Sequence, residues 1–230
     1  MKYILITGAS RGIGFETARI LAADGHHVIA TARSGNALRK LKSKFPDRIN
    51  ILPADLTNQK GLSNITSFLK SEEILLDGLI HNAGLLINKP FKKLNDSDWQ
   101  AMLDINLMAP VRLTKSLLPF MEFNSHILAI SSMGGFQQSK KFAGLTGYSA
   151  TKGALSILAE CLSVELADKN IHSNCLCLGA VQTEMFEKAF PGMTAPVSAE
   201  YMGNYIAEFV LNGHLYYNGK VLPVSLSDPD

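Results

Sequence analysis

The chain has 230 residues, 47% of them hydrophobic and 18% charged, which suits one α/β unit with a buried core and excludes a disordered or fibrous polymer. A formal charge of +2, scattered without a dense basic stripe, argues against nucleic acid and anionic membrane and leaves a small molecule as the partner. No apolar run approaches membrane-spanning length, and Met1-Lys2 leads straight into Tyr3-Ile4-Leu5-Ile6 with no room for a signal peptide, so a single cytoplasmic domain over residues 1–230 is expected.

The first predicted strand, residues 2–7, ends in Thr7-Gly8-Ala9-Ser10-Arg11-Gly12-Ile13-Gly14. Glycine admits the positive φ of a tight turn and lets backbone approach a pyrophosphate. The helix that follows, with Ile13, Thr17, Ile20 and Leu21 at helical spacing, turns its free N–H groups and dipole toward negative charge. Gly8, Ser10, Arg11, Gly12, Ile13 and Gly14 therefore form a candidate phosphate-binding turn. The second strand, 27–32, runs into Arg33-Ser34. An NAD-specific site places an acid there for the ribose 2′-OH, and none is present. Arg11 and Arg33 instead offer two guanidinium groups suited to a 2′-phosphate, so NADP(H) is the expected cofactor.

A third strand is predicted over 49–53, a helix through Leu62, Ile65, Phe68 and Leu69, and a fourth strand over 77–82. In Leu103-Asp104-Ile105-Asn106-Leu107 the residue four positions beyond Asn106 is Pro110, which has no N–H. A helix continuing through both would kink and leave the Asn106 carbonyl without its partner. The fifth strand, 125–131, closes on Ser131-Ser132, whose side chains alternate between faces. Tyr148 and Lys152 lie one turn apart on one face of a helix continued by Leu155, Leu158, Leu162 and Leu166. A tyrosine of pKa about 10 is a poor acid-base catalyst at neutral pH, and an ammonium beside it lowers that value. The sixth strand, 171–178, carries Cys175 and Cys177 on one face; with Cys161 they read as buried, inert thiols. The six histidines show no metal-ligand spacing, so no metal is expected. Met185, Phe186, Phe190, Pro191 and Met193 follow as an apolar lid that suits a moderately hydrophobic ligand, and a seventh strand covers 220–224. Alternating strands and helices require right-handed crossovers, hence a Rossmann-like, doubly wound, mostly parallel seven-stranded sheet with helices on both faces and its ligands at the carboxyl ends of the strands.

The motifs T-G-x-x-x-G-x-G, Asp55-Leu56-Thr57, Asn82-Ala83-Gly84 and Tyr148-Ser149-Ala150-Thr151-Lys152 occur in the order of the short-chain dehydrogenase/reductase family, and the chain resembles that family over essentially its whole length. The resemblance implies that Asp55 and Leu56 bracket the adenine, that Asn82, Ala83 and Gly84 line the ribose, and that Gly179, Val181 and Thr183 surround the nicotinamide. It implies a catalytic set of Asn106, Ser132, Tyr148 and Lys152. In that set Tyr148 exchanges the proton, Lys152 lowers its pKa and binds the nicotinamide ribose, Ser132 polarises the substrate oxygen and Asn106 holds a water of the proton relay. The implied activity is hydride transfer between nicotinamide C4 and the carbon of a carbonyl or alcohol substrate, most simply carbonyl reduction, by a homodimer or homotetramer that pairs the helices around 103–118 and 148–167.

Three departures stand out. Leu178 replaces the family's proline after the sixth strand, the span from Ser132 to Tyr148 is longer than usual and carries Lys140 and Lys141, and residues 225–230 lack a Gly-Gly ending. Two other readings are a non-catalytic NADP-binding redox sensor, which has no need of the catalytic set, and a nucleotide-sugar epimerase, disfavoured by length and by the glycine spacing.

Overall fold

The computed structural model describes residues 1–226; the end of the tail that lacks Gly-Gly, 227–230, lies outside the described residues. Strands β1 (Tyr3–Thr7), β2 (His27–Ala32), β3 (Ile49–Pro53), β4 (Leu76–His81), β5 (Met121–Ser132) and β6 (His172–Leu178) precede a short pair, β7 (Val181–Gln182) and β8 (Val197–Ser198), and the last strand β9 (Val221–Val224). The helices are α1 (Gly12–Ala23), α2 (Gly35–Lys42), α3 (Gln59–Ser71), α4 (Asp96–Leu103), α5 (Ala109–Leu117), α6 (Thr146–Glu165), α7 (Glu184–Ala189) and α8 (Ala199–Asn212). A seven-stranded sheet runs β3-β2-β1-β4-β5-β6-β9, and each of its ladders is parallel.

Strand alternation divides the core. Ile4 and Ile6 of β1, with Leu128 and Ile130 of β5, pack beneath Ala18 and Leu21 of α1 and Ile206 and Val210 of α8. Leu5 and Ile127, one residue out of phase, meet Leu62 and Ile65 of α3 and Leu113 and Leu117 of α5. On that second face Ala129, Cys175 and Cys177 receive Leu155 and Ala159 of α6. Both faces are covered, which explains why the strands are continuously apolar. The order reverses between β1 and β4, and their carboxyl ends flank the crevice where such sheets bind ligands.

Three local expectations change. β5 starts at Met121 rather than 125, pairing with Leu76 across a register irregularity; Glu122, Phe123 and Asn124, all exposed and polar on either side of the phenylalanine, lack the continuous apolar run of the other strands. The kink ahead of Pro110 is a π-helical turn, Asp104–Met108, between α4 and α5. A ring nitrogen without hydrogen removes the donor for the Asn106 carbonyl, and widening by one residue accommodates it. Cys161, expected to be buried like Cys175 and Cys177, is exposed on α6.

Candidate active site

At the end of β1 the chain turns through Gly8 at φ 71° and Gly12 at φ 57° into α1, where any larger residue would be strained. A Cβ on Gly8 would lie 2.9 Å from Ala83 Cα, and one on Gly14 would collide with the Asn82 amide, so this turn and the residues after β4 interlock. Thr7 organises the junction: its Oγ1 donates to the Ile80 carbonyl at 3.2 Å and accepts from the amides of Asn82 and Ala83, both at 3.0 Å. The Asn82 side chain donates to the carbonyls of Thr7 (2.9 Å) and Gly8 (3.3 Å). α1 has no side-chain N-cap hydrogen bond and no acid in its first turn, which leaves its first amides open to an anion. That donor set fits a dinucleotide pyrophosphate.

The carboxyl end of β2 is free of acids, and Arg33 is exposed there. Asp55 accepts from the amide (3.0 Å) and hydroxyl (2.7 Å) of Thr57. Those bonds, helped by the Arg33 charge, hold its carboxyl below the usual range. Asn58 caps α3, accepting from Gly61 N at 2.9 Å. Arg11, expected to face a phosphate, is ion-paired with Glu184 at 3.2 Å.

Asn106, fully buried, accepts from Leu85 N at 2.8 Å and donates to Leu85 O and Thr151 Oγ1, both at 2.9 Å. Its side chain thereby ties the loop after β4 to α6. Gly84 lies against the same group, since a Cβ there would sit 3.4 Å from Lys152 Nζ and 3.5 Å from Asn106 Oδ1. Lys152 is 3% exposed and donates to the Ile130 carbonyl at 2.7 Å. Ser132, at the mouth end of β5, accepts from Gly134 N at 3.1 Å. Ser131 faces the other way, as alternation requires, and donates to the Lys152 carbonyl at 2.8 Å. Ser156 adds bonds to Ser131 and to the Lys152 carbonyl, both at 3.1 Å, and contacts Cys175 Sγ at 3.4 Å, so the turn bearing Lys152 is fastened to β5 and β6.

The electrostatics differ from expectation. Burial pushes Tyr148 up to about 12, a hydrogen bond from Ser132 opposing it, whereas a lowered value was expected from Lys152. Burial also brings Lys152 down to about 8, against the pull of Cys175 and Cys177. The physical reason is that the ammonium reaches the Ile130 carbonyl and stands 6.0 Å from the Tyr148 ring centroid, while desolvation disfavours charge on both groups.

The segment after β6 is structured. Val181 is buried in β7, and Thr183 caps α7, its Oγ1 accepting from Phe186 N at 3.2 Å. Phe186 and Phe190 are in ring contact at 5.2 Å, beside the half-buried Met185. Thr183 Cγ2 would be 3.4 Å from a Cβ on Gly12, which brings this segment over the glycine turn. Thr7 and Thr151 lie inside the motifs but have no role in the sequence reading, a role their hydroxyls take by bonding backbone groups and Asn106; Leu85 and Ile130 act through backbone groups, which leave no side-chain pattern. Among the described residues no group of three or more His, Cys, Asp or Glu is placed to hold a metal ion, and no helix is long and apolar enough to cross a membrane.

Known proteins with similar sequences and folds share this arrangement of elements. The family model described as short chain dehydrogenase matches residues 2–194. Nodulation protein G of Rhizobium sp. (strain N33) is 30% identical over 234 residues, covering 96% of this chain and 94% of that protein. The 3-oxoacyl-acyl-carrier-protein reductase of Escherichia coli (strain K12) is 28% identical, covering 97% and 96%. L-sorbose reductase from Gluconobacter frateurii, solved with NADPH and L-sorbose, superposes with a TM-score of 0.86 at 26% identity, covering 99% of this chain and 96% of that one. A glucose/ribitol dehydrogenase from Brucella melitensis, at 23% identity, shares the fold with a TM-score of 0.90 over 100% of this chain and 97% of its own. On the family match over most of its length, the chain belongs to the short-chain dehydrogenase family of oxidoreductases.

Proposed function

We propose that this protein is an NADPH-dependent carbonyl reductase with one catalytic domain, working through Asn106, Ser132, Tyr148 and Lys152. The observation that carries the reading is Lys152 and Asn106 packed against Gly84, with Ser132 hydrogen-bonded to Tyr148 one turn of α6 before Lys152, on the side of the sheet where the strands end and the glycine turn begins. A bound nicotinamide supplies the hydride. Tyr148, held protonated by burial, is poised to give its proton to the developing alkoxide, which is the direction that carbonyl reduction needs. Ser132 donates to the same oxygen as charge grows there. Lys152 holds the ribose and supplies positive charge beside the cleft. Asn106 keeps the Leu85 loop and Thr151 in register, so the relay residues do not drift.

NADPH is favoured by the acid-free end of β2 and by Arg33 and Arg11. The sorbose reductase was solved with NADPH and the 3-ketoacyl reductase of Brucella melitensis with NADH, so this chain's own charges are what favour NADPH. The exposed stripe Ile157, Cys161 and Val164 along α6 supports pairing of this helix with a second copy, in a homodimer or homotetramer in the cytoplasm. The test is a reductase screen over aldehydes, ketones, quinones and thioester-linked ketones with NADPH. Turnover of at least one class supports the assignment; NADPH binding without turnover of any class overturns it.

A further inference from the structure

The segment that carries Met185, Phe186 and Phe190 is held from both ends. α7 spans Glu184–Ala189, too short a helix to persist without tertiary ties. At its amino end Glu184 pairs with Arg11, but both side chains are more than half exposed and such a pair contributes little. At its carboxyl end the Ala189 carbonyl, one of the last-turn groups with no partner inside a helix, accepts a hydrogen bond of 2.8 Å from Asn88 Nδ2. Ala189 is buried, and this bond is part-buried.

Asn88 stands where three segments meet: the loop after β4, the approach to α6 and the end of α7. It lies on the loop after β4, beyond Leu85, which Asn106 clamps on both backbone groups. Lys89 N donates to the Gly144 carbonyl at 3.0 Å, joining that loop to the segment entering α6. Gly144 has φ 87°, and a Cβ on it would collide with the Asn88 amide, so the side chain is seated against bare backbone. The loop that carries Gly84 is thus linked through one side chain to the end of α7.

We propose that Asn88 is a positioning residue that latches α7 over the substrate mouth and thereby sets the affinity for the carbonyl substrate, independently of the cofactor turn. The inference rests on the reductase reading for its kinetic part alone; the latch itself is a structural statement. Asn88→Asp keeps the shape seated against Gly144 but turns the donor into an acceptor facing the Ala189 carbonyl. Asn88→Ala removes both.

Hydrogen exchange of the full-length protein is measured over 184–190, followed by kinetics with NADPH and ethyl acetoacetate as the carbonyl probe. In Asn88→Asp the amides of 184–190 exchange about fivefold faster, the weight of one neutral hydrogen bond, while those of β1 keep the parental rate. KM for the keto ester rises by about the same factor, with NADPH affinity within about twofold of the parent. Unchanged exchange over 184–190, or NADPH affinity falling in step with KM, overturns the latch. If Asn88→Ala does not fold, Asn88→Asp decides; if the parent does not reduce the keto ester, a carbonyl compound turned over in the screen replaces it, and if none is turned over, exchange alone decides and the failure belongs to the reductase reading.

Discussion

The ammonium of Lys152 donates to the Ile130 carbonyl at 2.7 Å and stands 6.0 Å from the centroid of the Tyr148 ring, so the two side chains share a cleft wall without forming a direct hydrogen bond. Tyr148 is pushed up to about 12 and Lys152 down to about 8, both by burial. Carbonyl reduction therefore starts from a protonated acid. Its rate should hold through neutral pH and fall above about 8 as Lys152 loses its charge, a limb that initial rates across pH 6 to 10 would reveal.

Tyr148→Phe keeps the ring and deletes the proton donor. Single-turnover reduction should fall by more than tenfold, with NADPH affinity within a few-fold of the parent, because the loss lies in the chemical step. Retention of more than about a tenth of the rate would leave under about 1.4 kcal/mol for this hydroxyl and contradict its role.

Lys152→Ala should lower rate and cofactor affinity together, since the proposed mechanism gives one side chain both the ribose and the local charge. Ser131→Ala reaches the same turn indirectly, removing the 2.8 Å bond to the Lys152 carbonyl. It should cost about 1 kcal/mol of stability, measured by urea unfolding, as the loss of one buried hydrogen bond does.

Arg33→Ala should weaken NADPH by about tenfold, or about 1.4 kcal/mol, and leave NADH unchanged. Glu184→Gln should act in the opposite sense. It frees Arg11 from its ion pair, and because that pair is solvent-exposed the gain in NADPH affinity should be only about two- to threefold. Titration of both nucleotides against the two variants separates these effects, and equal NADPH and NADH affinities in the parent would remove the basis for the NADPH assignment.

Acid stability should reflect two buried imidazoles. His81, whose Nε2 meets Thr114 Oγ1 at 2.8 Å, is lowered to about 3 by burial and by Lys152. His126, between the Val210 carbonyl and the Asn174 amide, is lowered to about 3 chiefly by burial. Both folded values lie below the unfolded value of about 6.5, so their contribution is complete above that pH and is lost as pH falls toward 3. At about pH 4.5 the loss is roughly 2 to 3 kcal/mol for each residue, at 1.36 kcal/mol per unit. Urea unfolding from pH 7 to 4.5 should show a flatter slope in His126→Asn; a slope equal to the parent's would count against neutral burial of His126.

The sheet and its glycine turn were legible in the sequence because they rest on local rules: continuous apolar strands, glycines where a turn needs positive φ, and helical spacing that puts Tyr148 and Lys152 on one face. The alternation that separates Ser131 from Ser132 was legible for the same reason. Pro110 marked a disturbance at Asn106, since a missing N–H is visible in the residue type, but whether the helix kinks or widens into a π turn depends on the packing of α4 and of that turn against α6.

What tertiary structure alone decided lies in contacts between distant segments. Arg11 reaches Glu184, Asn88 reaches Ala189, and Lys152 spends its ammonium on the Ile130 carbonyl. Each pairs groups far apart in the chain, two of them with a backbone carbonyl, which every residue has and no sequence pattern marks. The direction of the Tyr148 shift belongs here as well: spacing determined that a cation would lie one turn away, but the balance between that charge and desolvation depends on how deeply the folded cleft encloses both groups.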